Sequence, residues 1–382
     1  MYAGCEYIDQ VELICIGLAK KLFGAEFADV RPISGVCANL SIYSAFTNPE
    51  DRMIALAIPS GGHISTGRKE FSGTAGLVHG LQVDYFAYDK EEMNIDVDKT
   101  KEKVKKIIEV NESQLKIAMF GGSMFLFPHP IKELKDFLTD HEIFICYDSA
   151  HVSGLIAGGE FQDPLREGAE AMTLSTHKTL PGPQGGTILS FNKYSDQIKK
   201  AVFPGNTSNH HLHSVAAKAI VFAEMIEFGR EYASQTVKNA KALADALHDK
   251  GLKLLGEKNG FTQSHQMAVD ISEQGDGGTL EKDLEKANII ANRQLLPGDI
   301  QAGRHYMHPG GLRFGVQEIT RLGMRESEMI EIADLIARII IGKEDPKNIK
   351  QKVSDFRKDF QKVHYAFEDS RAAYDYLRIR TT

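Results

Sequence analysis

Apolar strand-like runs alternate with helical patterns through the first half of this chain, and each run ends in glycine or a polar residue. The runs lie at residues 53–58, 81–86, 115–120 and 143–147, and the helical patterns lie at 97–110 and 131–138. This alternation is typical of an α/β fold on a mostly parallel sheet with helices on both faces. Because such sheets bind ligands at the carboxyl ends of their strands, we expect a site among the residues that follow the runs.

The second half of the chain indicates a smaller domain. A stretch rich in Ala, Leu, Lys and Glu, residues 213–250, predicts a long helix with a break near Phe228 and Gly229. We therefore expect a large α/β domain at residues 1–224 and a smaller C-terminal α+β domain at 225–382. Within the smaller domain, helices are predicted at 280–287, 326–341 and 346–362, and strands at 266–271, 288–291 and 312–316.

Two helices are predicted before the first strand-like run. Apolar residues from Val11 onward predict a largely buried helix that ends at about Phe23. Ser34, Gly35 and Val36 open a second helix. Free backbone N–H groups beside the positive end of a helix dipole suit a phosphate, although these residues by themselves favour a plain N-cap.

Composition and charge exclude several classes of protein. The 382 residues are 42% hydrophobic, and the net charge of -7 gives no general attraction to nucleic acid. The sequence contains no apolar run of 18 residues, so no membrane span is predicted. Four scattered cysteines without a CxxC pair indicate reduced thiols and a cytoplasmic protein. His210, His211 and His213 lack further ligands at a known interval, so no metal site is predicted.

Lys178 is the strongest candidate for chemistry. It lies between an apolar run and a turn rich in glycine and proline, within the segment Ser-Thr-His-Lys-Thr-Leu-Pro-Gly-Pro-Gln-Gly-Gly at residues 175–186. An amine that is held at a strand end and partly desolvated can lose its proton and attack a carbonyl, as a Schiff-base lysine does. The alternative is an ordinary solvated lysine in a turn.

Two further charged residues interrupt apolar runs. Asp148 ends a strand-like run, where it is either a helix N-cap or a carboxylate at a ligand site. Arg313 lies between Leu312 and Phe314, and an unpaired buried charge is unfavourable. Its planar guanidinium matches a substrate carboxylate, or it forms an internal salt bridge.

These segments resemble the serine hydroxymethyltransferase family in sequence and in order, nearly from end to end. Residues 161–168 and 208–213 are most similar to the archaeal branch of that family. The segments that carry the resemblance are Tyr-Ala-Gly-Cys-Glu-Tyr-Ile-Asp at 2–9, Gly-Gly-His at 61–63, Tyr-Asp-Ser-Ala-His at 147–151, the Lys178 segment, Val-Phe-Pro-Gly at 202–205 and Gly-Leu-Arg-Phe-Gly at 311–315.

The resemblance implies a fold, a cofactor and a reaction. The fold is that of pyridoxal-phosphate-dependent transferases of the aspartate-aminotransferase type, fold type I. The reaction interconverts serine and glycine and passes one carbon to tetrahydromethanopterin or tetrahydrofolate. A homodimer with shared active sites is implied as well.

The resemblance also implies roles for residues around the cofactor. Lys178 would bind it covalently, Asp148 would keep its pyridine nitrogen protonated, and His63 would stack on its ring. Ser123 and His151 would lie near its phenolate oxygen. Its phosphate would be bound by two segments, one of them from the neighbouring subunit: Ser34, Gly35 and Val36, and Ser208 and Asn209.

On the substrate side, the resemblance implies that Arg313 binds the carboxylate and that Tyr2 is donated by the partner subunit. His177 would meet the substrate hydroxyl or the cofactor. The catalytic residues implied are Lys178, His177, His151 and Tyr2.

Three departures from the family pattern leave alternatives open. Val36 and Gln184 stand where bacterial members have serine and arginine, which indicates a rebuilt phosphate site. The family segment with a helix, a tyrosine and a catalytic glutamate does not precede Tyr2, which indicates either a shortened chain or an altered enzyme. The alternatives are a pterin-independent aldolase for threonine-like amino acids and a non-catalytic relative of the same fold.

Overall fold

The computed structural model describes residues 3–110, 114–368 and 372–373, so Tyr2 lies outside the described residues. The chain forms two compact units, Met1–Arg230 and Glu231–Thr382. The assignment of residues 1–224 to cofactor binding and of 225–382 to a smaller domain stays a prediction.

The first unit is built on a seven-stranded sheet with the order β1-β9-β8-β7-β6-β2-β3. Strands β3, β2, β6, β7 and β8 are parallel, whereas β9 is antiparallel to both β8 and β1. The strands of this unit, including a two-stranded ribbon of β4 and β5, are β1 (Phe27–Asp29), β2 (Arg52–Ala55), β3 (Gln82–Tyr85), β4 (Tyr88–Asp89), β5 (Asn94–Ile95), β6 (Leu115–Gly121), β7 (Phe144–Asp148), β8 (Ala171–His177) and β9 (Pro181–Ser190).

Helices flank this sheet. The predicted helix at 97–110 is confirmed, and its buried residues Thr100, Val104 and Ile107 recur at helical spacing. The helices are α1 (Glu6–Phe23), α2 (Gly35–Phe46), α3 (Thr74–Leu77), α4 (Val97–Val110), α5 (Ile131–Asp140), α6 (Ser153–Ala157), α7 (Pro164–Glu167), α8 (Ser195–Lys200) and α9 (Leu212–Asp249). None of the helices in the described ranges combines the length and the hydropathy needed to cross a bilayer.

Two expectations for the helices are wrong. Helix α1 is not largely buried in the single chain, because Tyr7, Leu13 and Ile14 are 79%, 67% and 58% exposed. Helix α9 continues without a break through Phe228 and Gly229. One glycine weakens a helix by only about 1 kcal/mol, which the surrounding alanine and glutamate residues can offset.

The second unit contains a four-stranded sheet with the order β10-β11-β13-β12, in which all pairs are antiparallel. The strand predicted at 288–291 is wrong, because Asn288 adopts a left-handed φ of 61° and the chain turns there. Its elements after α9 are β10 (Lys253–Leu254), β11 (Gln266–Asp270), α10 (Gly277–Lys286), β12 (Asn292–Gln294), β13 (Gly311–Gly315), α11 (Gln317–Arg321), α12 (Glu326–Ile340) and α13 (Pro346–Phe356).

Candidate active site

A cavity of about 270 Å³ lies in the first unit, where strands β7 and β8 end and helix α2 begins. It brings together seven residues that the sequence predicts for the site: Ser34, Gly35, Val36, His63, Asp148, His177 and Lys178. The other residues that line it are Asn39, Gly122, Ala150, Ser175 and Gln184.

The hairpin between β8 and β9 presents Lys178 to this cavity. The lysine is half-buried, and its Nζ lies 3.5 Å from the Oγ of Ser175. Its neighbour Thr179 is fully buried and donates from Oγ1 to the carbonyl of His151 at 2.8 Å, while it accepts from the backbone N–H of Gly154 at 2.9 Å. These contacts fix the backbone on one side of the lysine, so the amine projects from a rigid turn.

Asp148 is buried at the end of β7, with 3% of its surface exposed. Its Oδ1 accepts from the backbone N–H of Ala150 at 3.0 Å, and its Oδ2 accepts from Nδ2 of Asn39 at 2.8 Å. The capping and the ligand-site readings of this residue are therefore compatible. Each carboxylate oxygen has a further lone pair, so Asp148 can still accept a hydrogen bond from a donor in the cavity.

Asn39 connects Asp148 to the rest of the site and is not among the residues predicted from the sequence. It is 1% exposed, and its Oδ1 accepts from Oγ1 of Thr173 at 2.6 Å. The sequence does carry a signal for it, since Asn39 is an amide between Ala38 and Leu40 in a mostly apolar helix. A buried amide in such a place needs hydrogen-bond partners, and the sequence does not show which residues those partners are.

The same amide determines the tautomer of His63, that is, which ring nitrogen carries the proton. Nδ2 of Asn39 donates to Oγ of Ser65 at 2.9 Å, so the Ser65 hydroxyl is left to donate to Nδ1 of His63 at 2.8 Å. The backbone N–H of Ser65 also points to Nδ1, at 3.1 Å. Nδ1 is thus an acceptor, and the neutral ring carries its proton on Nε2.

The start of α2 forms an anion-binding wall of the cavity. Ser34 caps the helix by accepting from the backbone N–H of Cys37 at 3.2 Å. The N–H groups of Gly35 and Val36 belong to the first turn, which has no carbonyl partners within its own helix. A Cβ on Gly35 would lie 2.5 Å from the Oγ of Ser175, so any other residue here would force the Ser175 side chain on β8 to move.

His177 is exposed at the end of β8 and also lines the cavity. Burial of its ring and the positive charge of Lys178 lower the pKa of His177 below its ordinary value. The neutral imidazole therefore dominates at pH 7 and can accept a proton.

Four other predicted residues, Ser123, His151, Ser208 and Asn209, do not line the cavity. Ser123 and His151 directly follow Gly122 and Ala150, which do line it. Ser208 and Asn209 are exposed in the loop before α9. Within the part of the chain that the structure describes, no cluster of three histidine, cysteine or acidic side chains is placed to bind a metal.

Arg313 lies on β13 in the second unit. Its Nη2 donates to Oδ1 of Asn292 on the neighbouring strand at 3.2 Å. Burial lowers the pKa of the guanidinium from its ordinary value. An arginine is still charged at pH 7 after such a shift, so Arg313 remains able to bind an anion.

Known proteins resemble the chain over most of its length. The family model "Serine hydroxymethyltransferase" matches residues 1–336. A serine hydroxymethyltransferase of Nitrosopumilus maritimus is 62% identical over 380 residues, which is 100% of this chain and 86% of the relative. That of Pyrococcus furiosus is 51% identical over 374 residues, 96% of this chain and 84% of the relative.

Among solved structures, the L-threonine transaldolase of Pseudomonas fluorescens, in its internal aldimine state, is similar with a TM-score of 0.85. The two chains are 29% identical, and the likeness covers 97% of this chain and 81% of the other. The resemblance therefore extends over both compact units.

Proposed function

The chain belongs to the serine hydroxymethyltransferase family, and on that premise we propose that it interconverts serine and glycine with transfer of one carbon to a reduced pterin. One observation carries the proposal: Lys178 and a buried Asp148 line a single cavity in a chain 62% identical to a serine hydroxymethyltransferase. The predicted family and the predicted fold type are confirmed by the same comparisons.

The cavity fits pyridoxal phosphate, the cofactor of this enzyme class. It has an amine at Lys178, a buried carboxylate at Asp148 and a helix N-terminus at Gly35. These three groups match the aldehyde, the pyridine nitrogen and the phosphate of the cofactor. When bound, pyridoxal phosphate supplies an electron sink for bond cleavage at the α-carbon of an amino acid.

Each of four residues that line the cavity has a separate proposed role. Lys178 would attach the cofactor, and Asp148 would keep the pyridine nitrogen protonated because an opposite charge stabilises the cation. His63, held in a fixed orientation by its bond to Ser65, would cover one ring face. His177 is neutral and can hold a proton beside the substrate hydroxyl.

Three further assignments rest on the family resemblance. Ser123 and His151, which follow the cavity residues Gly122 and Ala150, would contact the phenolate oxygen. Arg313 and Tyr2 would bind the substrate. Ser208 and Asn209 would reach the phosphate of a neighbouring subunit, which their exposed position allows.

We assign the protein to a homodimer in the cytoplasm. Tyr7, Leu13 and Ile14 expose more than half of their surface along α1, as a face that packs against a second chain would. Cys5, Cys15, Cys37 and Cys146 are all free thiols, as in proteins of reducing compartments. A chain that sediments as a monomer while it turns over serine would contradict the shared site.

A second function has one observation in its favour. The similar solved structure shares the fold of this chain, but it is named a threonine transaldolase and not a hydroxymethyltransferase. A pterin-independent aldolase would use the same lysine, aspartate and arginine. The two functions differ in whether serine cleavage needs the pterin.

The deciding experiment supplies serine with tetrahydrofolate, with tetrahydromethanopterin or with neither, and measures glycine formed. We expect the pterin to accelerate serine cleavage at least about 10²-fold, well within the effective molarities of about 10⁵–10⁸ M that a well-oriented reactant supplies. The better of the two pterins is then the one-carbon carrier. Acetaldehyde release from threonine is measured in parallel. Threonine cleavage that exceeds serine cleavage under every condition would favour the aldolase.

A separate prediction concerns Arg313. Arg313→Lys is expected to weaken glycine binding by about 2–3 kcal/mol, because a point charge cannot replace two parallel hydrogen bonds. Binding of ethanolamine, which has no carboxylate, should not change. The two ligands are titrated spectrally against the variant and the parent. Equal weakening of both ligands would make Arg313 a structural residue.

A further inference from the structure

A buried lysine lies directly behind the anion-binding wall of the cavity. Lys218, on α9, is 2% exposed. Its Nζ donates to the carbonyl of Val30 and, at 3.2 Å, to the carbonyl of Gly186. A Cβ on Gly185 would lie 3.3 Å from Cδ of Lys218, and the preceding residue, Gln184, lines the cavity.

The two carbonyls belong to segments that meet at the start of α2. Val30 follows β1 and leads into Ser34, while Gly186 lies on β9. The backbone N–H of Gly186 donates to the carbonyl of Pro32 at 2.9 Å, and a Cβ on Gly186 would lie 2.3 Å from the carbonyl oxygen of Ser34. Lys218 therefore fixes both segments against each other where the first turn of α2 faces the cavity.

The two carboxylates near Lys218, those of Asp29 and Glu12, each bond to another basic side chain. Asp29 accepts from Nε and Nη2 of Arg31, at 3.0 and 2.5 Å. Glu12 lies 2.5 Å from Nε2 of His210. The titratable groups that act on Lys218 are Glu12 and Cys15 on α1 and Asp29 on β1.

The site needs such a charge. Gln184 is neutral where the family resemblance implies an arginine, and Lys178 is committed to the covalent attachment. A phosphate monoester carries about two negative charges above its second pKa near 6. A buried ammonium beside the helix N-terminus adds attraction where the lining side chains provide little.

We propose that Lys218 is a positioning residue for the phosphate group of the cofactor: it fixes the anion-binding wall through Val30 and Gly186 and places a positive charge behind it. This inference rests on the proposed function. Burial also lowers the pKa of the Lys218 amine to about 8, against the opposing effects of Cys15, Asp29 and Glu12. The charge is thus present at pH 7 and lost above pH 8.

The test uses two ligands that differ only in the phosphate, pyridoxine 5′-phosphate and pyridoxine, on cofactor-free protein. Lys218→Met keeps the apolar stem and removes the donors. We expect its dissociation constant for pyridoxine 5′-phosphate to rise at least about tenfold, equivalent to 1.4 kcal/mol, with no change for pyridoxine. The matched control is Lys103→Met, since Lys103 donates to the carbonyl of Tyr85 at 2.5 Å outside the cavity lining.

A second measurement needs no substitution at Lys218. In the Lys178→Ala protein, the ratio of the two affinities is measured from pH 7 to pH 9.5. The charge of the phosphate is constant there, so the preference for the phosphorylated ligand should fall as Lys218 loses its proton. A constant ratio overturns the proposal even if Lys218→Met does not fold.

The remaining outcomes separate the two proposals. Equal loss of both ligands in Lys218→Met, or no loss of either, overturns the role of Lys218 and leaves the proposed function intact. A parent protein that binds neither ligand and does not cleave serine overturns the proposed function and this inference together.

Discussion

Lys178→Ala is expected to lower serine cleavage by at least about 10³-fold, as the loss of a covalent catalytic group does in other enzymes. The half-buried amine on the rigid hairpin is the only lysine that lines the cavity in the described part of the chain. Alanine removes the amine without disturbing Thr179, whose bonds fix the turn. The measurements are glycine formation from serine and borohydride-reducible cofactor on the protein.

The control for this variant is Lys193→Ala, an exposed lysine shortly after β9. It should retain the activity and the covalent cofactor of the parent. Far-ultraviolet circular dichroism should be the same for both variants. Retention of reducible cofactor in Lys178→Ala would assign the attachment to another lysine.

Asp148→Asn is expected to reduce turnover by about 10³-fold, or about 4 kcal/mol, while the cofactor remains bound. A neutral amide cannot hold the pyridine nitrogen protonated, whereas the phosphate contacts at Gly35 lie elsewhere and persist. Turnover and cofactor affinity are measured separately on the same protein.

This substitution also has a predicted effect on stability. The N–H of Ala150 and the amide of Asn39 both donate to Asp148, but an asparagine side chain has only one acceptor atom. One of the two donors loses its bond, so the free energy of unfolding should fall by about 1–3 kcal/mol. Urea unfolding of the cofactor-free protein measures it.

The matched control is Asp89→Asn, because Asp89 accepts from the backbone N–H groups of Glu91 and Glu92 outside the cavity lining. It tests backbone capping alone and should leave turnover unchanged. Near-parent turnover in Asp148→Asn would reduce Asp148 to a capping residue.

Much of the large unit could be predicted because its signals are local. The residues after strand-like runs were expected at one ligand site, and His63, Asp148 and Lys178 do line one cavity. The rule behind that expectation is geometric, since parallel strands end at the same edge of a sheet. The helix at Val97–Val110 was found for a similar reason, through its apolar spacing.

The features that the sequence did not predict depend on tertiary contacts. The sequence does not reveal the partners of Asn39 and Lys218, because only the folded chain brings Asp148 and the two carbonyls to them. The helix break near Phe228 and Gly229 is predicted from the low helix propensity of glycine, which the other residues of α9 override. On α1, apolar spacing predicted burial, but Leu13 and Ile14 are exposed in the single chain.

Peptide mapping tests most directly whether Lys178 binds pyridoxal phosphate covalently. The purified protein is incubated with the cofactor, reduced with borohydride and digested with trypsin. Because trypsin does not cleave after a modified lysine, we predict a phosphopyridoxylated peptide that runs from Glu167 to Lys193. Complete cleavage after Lys178, with the label on another lysine or on none, would contradict it.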